Sequence, residues 1–201
     1  MKFEQIQILL ILLIVGLNNG YESVFDISSF GYEFVPADSF YPPVSIFSSK
    51  KLLYCSIVCT QRQDCRTFDY NEETKECRVW DVDLMTSGSI VLSFSKNRSS
   101  VGSVRFFESI YSKIYNESCD RCIQNRYTIC NSNTSRCQCP PKTYWNGSIC
   151  LSQLLYNQIC SSNEVCRSDL NLSCEPSCDM NYRCIHRKLF LFEDYKKYNL
   201  C

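Results

Sequence analysis

The sequence predicts an α+β domain followed by small, disulfide-rich, mostly β modules. Three observations carry that expectation. Sixteen cysteines stand in 201 residues, the density of a disulfide scaffold. They fall into even groups, Cys55 to Cys77, Cys119 to Cys150 and Cys160 to Cys201, so each group can close on itself. Within the first group a helical repeat is followed by strand, polar turn and strand.

The opening residues set the compartment. "MKFEQIQILLILLIVGLNNG" has a short polar start, an apolar run from Ile6 to Leu17, and a small, polar end. That is the layout of a secretory signal peptide. The run is shorter than the ~20 residues a membrane-spanning helix needs. Residues 1–20 are therefore expected to be removed near Gly20, giving a secreted, extracellular chain with no membrane span. An oxidising export route turns cysteines into bridges. Cys119 and Cys122 form C-x-x-C, and Cys137 and Cys139 form C-x-C, the spacings of half a zinc site. The chain holds a single histidine, His186, and export favours bridges, so no metal and no cofactor is expected.

Residues 21–115 read as the first domain. "YEFVPADSFYPPVSIF" is aromatic and β-prone but punctuated by Pro36, Pro42 and Pro43, which suits edge strands and turns. "SSKKLLYCSIVCTQRQD" offers Ser48 or Ser49 as N-cap and a helix behind it, with Leu52, Cys55 and Cys59 on one face. "CRTFDY" and "CRVWDV" read as the two strands of a hairpin around the turn "NEETKE". Further strands are expected at "SIVLSF" and "VGSVRFF". Cys55 and Cys59 lie four apart on the helix, side by side, and are placed to reach a neighbouring element rather than each other. A nested pairing, Cys59–Cys65 inside Cys55–Cys77, would fasten the helix to the hairpin. Phe68, Tyr70 and Trp80 are expected to roof the helix as core.

Residues 55–80 carry a resemblance. Cys55-x-x-x-Cys59, then Cys65-x-x-Phe68-x-Tyr70, then Cys77 and Trp80, is similar to the PAN/apple domain. The resemblance implies one helix on a curved antiparallel sheet, stapled by nested bridges. It also implies recognition of a protein or carbohydrate rather than catalysis. No cysteine stands between Gly20 and Cys55, so the chain resembles the shorter, two-bridge form of the family.

Residues 116–150 have the order C-x2-C-x7-C-x6-C-x-C-x10-C. Six cysteines allow fifteen connectivities. The C-x-C followed by Tyr144, Trp145 and Gly147 resembles EGF-like and EB-type modules. That resemblance implies the bridges Cys119–Cys130, Cys122–Cys137 and Cys139–Cys150. The acidic signature of calcium-binding modules is missing, so no calcium is expected. After a linker at residues 151–159, residues 160–201 read as a degenerate second copy, because Cys122-x7-Cys130 recurs as Cys166-x7-Cys174. The pairing of Cys160, Cys166, Cys174, Cys178, Cys184 and Cys201 stays open.

Charge excludes some partners. Twenty-one basic and 21 acidic side chains cancel, and no like-charged run points to nucleic acid or an anionic membrane. Arg121, Arg126, Arg136 and Lys142 make the segment after Cys119 mildly basic, read as a solvated face. N-x-[ST] acceptors at Asn97, Asn116, Asn133, Asn146 and Asn171 are glycosylation candidates on exposed loops. No catalytic set is legible. His186 reads as a surface residue, Glu72, Glu73 and Glu76 as a solvated turn, and no serine has a G-x-S-x-G setting. The expectation is a non-enzymatic recognition protein whose partner is an extracellular protein or acidic carbohydrate, with Arg66, Lys75 and Arg78 as binding candidates. The alternatives are a structural matrix or coat component, a small-module protease inhibitor, or a toxin-like effector.

Overall fold

The structure is a computed structural model that describes residues 23–93, 98–122, 127–177 and 179–187. The signal segment, Asn97, Arg126, Cys178 and Cys201 lie outside the described residues. The chain divides into two compact units, Met1–Ser152 and Gln153–Cys201.

The first unit is built on an antiparallel sheet of β1 (Phe25–Ile27), β3 (Ser45–Ser48), β4 (Thr67–Asn71), β5 (Glu76–Trp80) and β7 (Ser99–Val104), in the order β1-β7-β4-β5-β3. One helix, α1 (Leu52–Gln61), lies on one face. Its inward side is largely sulfur. Cys55 bonds Cys77 on β5, and Cys59 bonds Cys65 just before β4. All four are fully buried, together with Phe25, Phe68, Tyr70, Val79 and Val104. The helix starts two residues later than a Ser49 cap would place it, and three later than a Ser48 cap. Lys51 is the N-cap and makes no side-chain cap bond. The Ser49 hydroxyl instead donates to the Lys51 carbonyl at 2.8 Å, so the serine shapes the approach to the helix rather than its first turn.

Alternation along β4 sends Phe68 and Tyr70 toward α1, and Thr67, Asp69 and Asn71 the other way. All five are buried, because a second layer covers the far face. That layer is the ribbon of β2 (Tyr32–Pro36) and β6 (Gly88–Leu92), with β2 against β4 and β7. Phe34 packs on Trp80 at 5.2 Å between ring centres. Gly102 faces Phe68 across the β4–β7 pair. A Cβ there would lie 2.2 Å from the Phe68 ring, so glycine is what lets the central phenylalanine lie flat on the sheet.

A second helix, α2 (Glu108–Ile114), follows β7 where the sequence suggested no element. Its Tyr111 and Ile114 pack with Tyr127, Ile149, Cys150 and Leu151 of the next cysteine-rich segment. Two buried carboxylates strengthen that join. Asp81 accepts from the Tyr41 hydroxyl and the Lys142 ammonium, each at 2.7 Å. Asp83 accepts from the amides of Met85, Thr86 and Ser152. The cysteine-rich segment itself has β8 (Ile129–Asn131) paired with β9 (Arg136–Gln138), and β10 (Thr143–Trp145) paired with β11 (Cys150–Ser152). Its bridges are Cys119–Cys130, Cys122–Cys137 and Cys139–Cys150.

Among its described residues the second unit has one hairpin, β12 (Leu172–Pro176) with β13 (Tyr182–His186), and the bridges Cys160–Cys174 and Cys166–Cys184. Its backbone repeats the turn of the preceding segment bond for bond. Asn116 and Asn157 both sit at left-handed φ, 63° and 65°. Their amides donate to the carbonyls of Cys137 and Cys184, at 2.8 Å in each case. Those cysteines donate back to Glu117 and Gln158, at 2.8 and 2.9 Å. Arg136 and Arg183 then clasp the same asparagine carbonyls, both at 2.7 Å.

Gly102→Ala is expected to destabilise the first unit by about 1–3 kcal/mol or more through overpacking against Phe68. The check is a thermal melt of the full chain, in which the first unit's transition should fall by several degrees.

Candidate recognition surface

The cationic side chains divide into those already engaged and those left for a partner. Arg66 leaves the surface altogether. It is 2% exposed, and its guanidinium lies 4.7 Å from the centre of the Phe106 ring. Among the described residues neither terminal nitrogen has a hydrogen-bond partner, so the cation–π contact is its compensation. The sequence placed Arg66 on an exposed hairpin. The fold puts it under the start of the chain's run into α2, where Val104 donates to its carbonyl at 2.9 Å.

Arg78 is engaged from three sides. It donates to both carboxylate oxygens of Asp69, through Nε at 2.7 Å, stands 3.7 Å from Glu33, and lies over Trp80. Burial works against its charge, but the bond to Asp69 and the surrounding carboxylates outweigh it and raise its pKa. The pair exists because Asp69 is buried on a strand covered on both faces, and a buried carboxylate needs a partner. Asp69 also accepts the amide of Phe34, so this pair ties the ribbon to the sheet. Tyr70, on the opposite face of β4, has its hydroxyl pKa raised by burial and by Glu72.

Lys75 is the candidate that remains at the surface. It occupies the β4–β5 turn at left-handed φ, 59°, and its carbonyl accepts the Ser49 amide at 2.7 Å. That bond brings the turn beside the start of α1. Lys50, Lys51, Leu53 and Tyr54 are exposed there, Tyr54 at 54%. No acidic residue sits in the first turn of α1, so the positive end of the helix adds to the lysines. Glu73 is exposed and Glu76 half-exposed in the same turn, and Glu72 pairs with Arg98 at 2.8 Å. The corner is therefore of mixed sign, with an aromatic and an aliphatic group at its middle. Sequence reasoning missed Leu53 and Tyr54. Their signal was their position, out of phase with the inward Leu52–Cys55–Cys59 stripe.

The other named residues fall outside this corner. Lys142 is held by Asp81, and Arg136 by the Asn116 carbonyl. Arg121 stands in a 3-10 turn after Ser118. His186 is exposed and stacks on Tyr156 at 5.4 Å. Asn116, Asn133, Asn146 and Asn171 are all exposed, each in or beside a turn. The sulfurs of Cys160, Cys166 and Cys184 lie close together, as two neighbouring bridges rather than as thiolates.

Residues 32–108 match the family model of the PAN domain. The match runs from the first residue of β2 to the first residue of α2, taking in the ribbon, α1, both bridges and the hairpin. Residues 32–108 are thus a PAN domain, a protein- and carbohydrate-binding module. No curated protein matches the chain.

Arg78→Met is expected to cost about 2 kcal/mol, less than the 3–5 of a fully buried broken pair because the guanidinium is partly exposed. Asp69→Asn in the same background should recover part of it. A double-mutant cycle by chemical denaturation checks both.

Proposed function

We propose that the chain is a secreted, non-enzymatic recognition protein whose PAN domain binds an extracellular protein at the corner of α1 and the β4–β5 turn. The observation that carries the choice of a protein over an acidic carbohydrate is the fate of the cations. A polyanionic glycan calls for a cluster of uncompensated basic groups. Here Arg66 is buried, Arg78 is held by Asp69, and the exposed Lys50, Lys51 and Lys75 share their corner with Glu73 and Glu76. What the corner presents is an exposed tyrosine and leucine ringed by charges of both signs. That is the composition of a protein-binding patch with an aromatic anchor and a polar rim.

Several features support export and binding without turnover. The bridges found throughout the described residues persist in an oxidising compartment. Among the described residues no helix is long and apolar enough to cross a membrane. PAN domains act as binding modules. The EGF-like or EB-type modules and their glycosylated loops would serve as a bridged stalk that presents the PAN domain, with the first of them welded to it through α2, Asp81 and Asp83.

The full chain, oxidised and immobilised, would be screened against arrays of extracellular proteins and of glycans. A protein ligand is expected. Tyr54→Ala should weaken it roughly tenfold or more, as loss of an aromatic anchor does. Lys75→Glu, or added salt, should weaken it only about threefold or less, because rim charges are screened. A sulfated or carboxylated glycan bound in proportion to its charge, released by salt and indifferent to Tyr54→Ala, would move the assignment to carbohydrate recognition.

A further inference from the structure

We infer that β6 is an open pairing edge and that it is filled by β6 of a second copy of this chain, giving a two-fold dimer through a continuous β2-β6-β6-β2 sheet.

Ser93 donates to the Gly31 carbonyl at 2.8 Å, and Ala37 donates to the Ser87 carbonyl at 2.9 Å. Antiparallel ladders alternate, so positions 87, 89, 91 and 93 turn toward β2. Gly88, Ile90 and Leu92 turn their amides and carbonyls outward. The matching outward groups on β2 are in part already taken. Ser99 donates to the Tyr32 carbonyl at 2.8 Å, Asp69 takes the Phe34 amide, and Pro36 has no amide to place. On β6 the outward groups of Gly88, Ile90 and Leu92 meet no partner among the described residues.

The side chains leave this edge open to pairing. Ile90 is 36% exposed, Val91 is similar, and Leu92 is 61% exposed. Residues 84–93 carry no charge at all. Sheet proteins ordinarily protect an edge with lysine, proline, a bulge or a covering loop. None of these stands on the described part of this one.

The same features select a second copy as the occupant. The outward set is symmetric about Ile90. A two-fold axis there sets Ile90 against Ile90, and Gly88 against Leu92 in both directions. Every outward donor then meets an outward acceptor, and the most exposed large side chain of the strand, Leu92, faces the residue with none. Gly88 is held as glycine by the fold itself, since a Cβ there would lie 2.2 Å from the Phe34 ring. An uncharged strand has nothing to orient or select a foreign chain by charge, and nothing to repel its own copy. This edge shares no residue with the α1 corner and is independent of the partner proposed there. If both hold, the dimer presents two corners, and a multivalent target gains avidity.

Sedimentation velocity on the full chain, over about 1 to about 100 µM, should show the mean mass rising toward twice the chain mass as concentration increases. Ile90→Pro removes an outward amide and no ladder bond, so it should stay a single chain throughout while keeping its far-UV spectrum and melting point. Leu92→Lys places a charge on the edge and should do the same, and it decides the matter if the proline variant fails to fold. A wild-type chain that stays single throughout overturns the inference. So does a dimer that survives Leu92→Lys. Retention of the Tyr54-dependent ligand by Ile90→Pro would separate failure of the dimer from failure of the recognition reading.

Discussion

Two bridges between a short helix and the hairpin beside it hold the first unit together. α1 has ten residues, Ile57 and Val58 within it, and no side-chain cap. A helix of that length is not stable alone. Cys55–Cys77 and Cys59–Cys65 fix it covalently, and their sulfurs are themselves buried core. Bridges of this size contribute about 2–4 kcal/mol each, chiefly by restricting the unfolded chain. Since so much of the helix's hold is covalent, its outward side carries little of the packing: Tyr54 meets Phe47 edge-on at 6.4 Å between ring centres and is otherwise exposed. Lys50, Lys51, Leu53 and Tyr54 can face solvent without weakening the fold, and this makes the corner available for a partner.

The same constraint explains where the basic residues went. A helix stapled to one face of the sheet leaves the other face to be covered by a ribbon, and β4 ends buried on both sides. A strand in that position ordinarily reads as a continuous apolar run. "TFDYN" alternates instead, and alternation is the pattern of a half-exposed strand. Asp69 is therefore carried inside by topology, Arg78 follows it as counter-ion, and Glu33 on β2 joins them. The polar face that seemed to offer Arg78 to a ligand is an internal clasp between sheet and ribbon. Arg66 is a second instance, drawn under Phe106 by the return of β7 toward α2.

The fold class was legible because its signals are local. The helical repeat, the aromatic hairpin and the cysteine spacing each lie within about twenty-five residues. Strands β4 to β7 follow from the same short-range patterns. Two elements of residues 21–115 were not legible. β1 is three residues long, too short for any period to register. α2 begins directly after the aromatic run of "VRFF" with Phe107 as an uncapped N-cap, so no start signal marks it. Tertiary packing against Tyr127 and Leu151 supplies what its sequence lacks. Whether a strand lies at a sheet's centre or its edge is decided by partners far along the chain, so "SIVL" could be read as a strand but not as an open edge. The lysine corner was half legible. Lys75 announces itself in a polar turn, but its neighbours Leu53 and Tyr54 become a surface only once α1 is docked.

The repeated turn of the two tail segments shows what cysteine counting alone conceals. "YNESC" and "YNQIC" begin the two copies, and "RC" of Arg136–Cys137 and Arg183–Cys184 closes them. Asparagine is suited to the left-handed position that starts the turn, and arginine reaches back to its carbonyl in both. These bonds place Cys137 and Cys184 identically, and each bonds the second cysteine of its segment, Cys122 or Cys166. Two positions further on the copies part. The first has Cys139, which ties β9 to β11 through Cys150. The second has His186, the sole histidine of the chain, stacked on Tyr156. In the first copy the equivalent tyrosine, Tyr115, stacks on Trp145, 3.8 Å between ring centres. An aromatic contact to the turn tyrosine is thus kept in both, while the bridge at the neighbouring position is kept in one. The turn does not depend on that third bridge. Its own backbone bonds and its arginine clasp specify it, and the chain can exchange a cysteine for a histidine there without losing the shape.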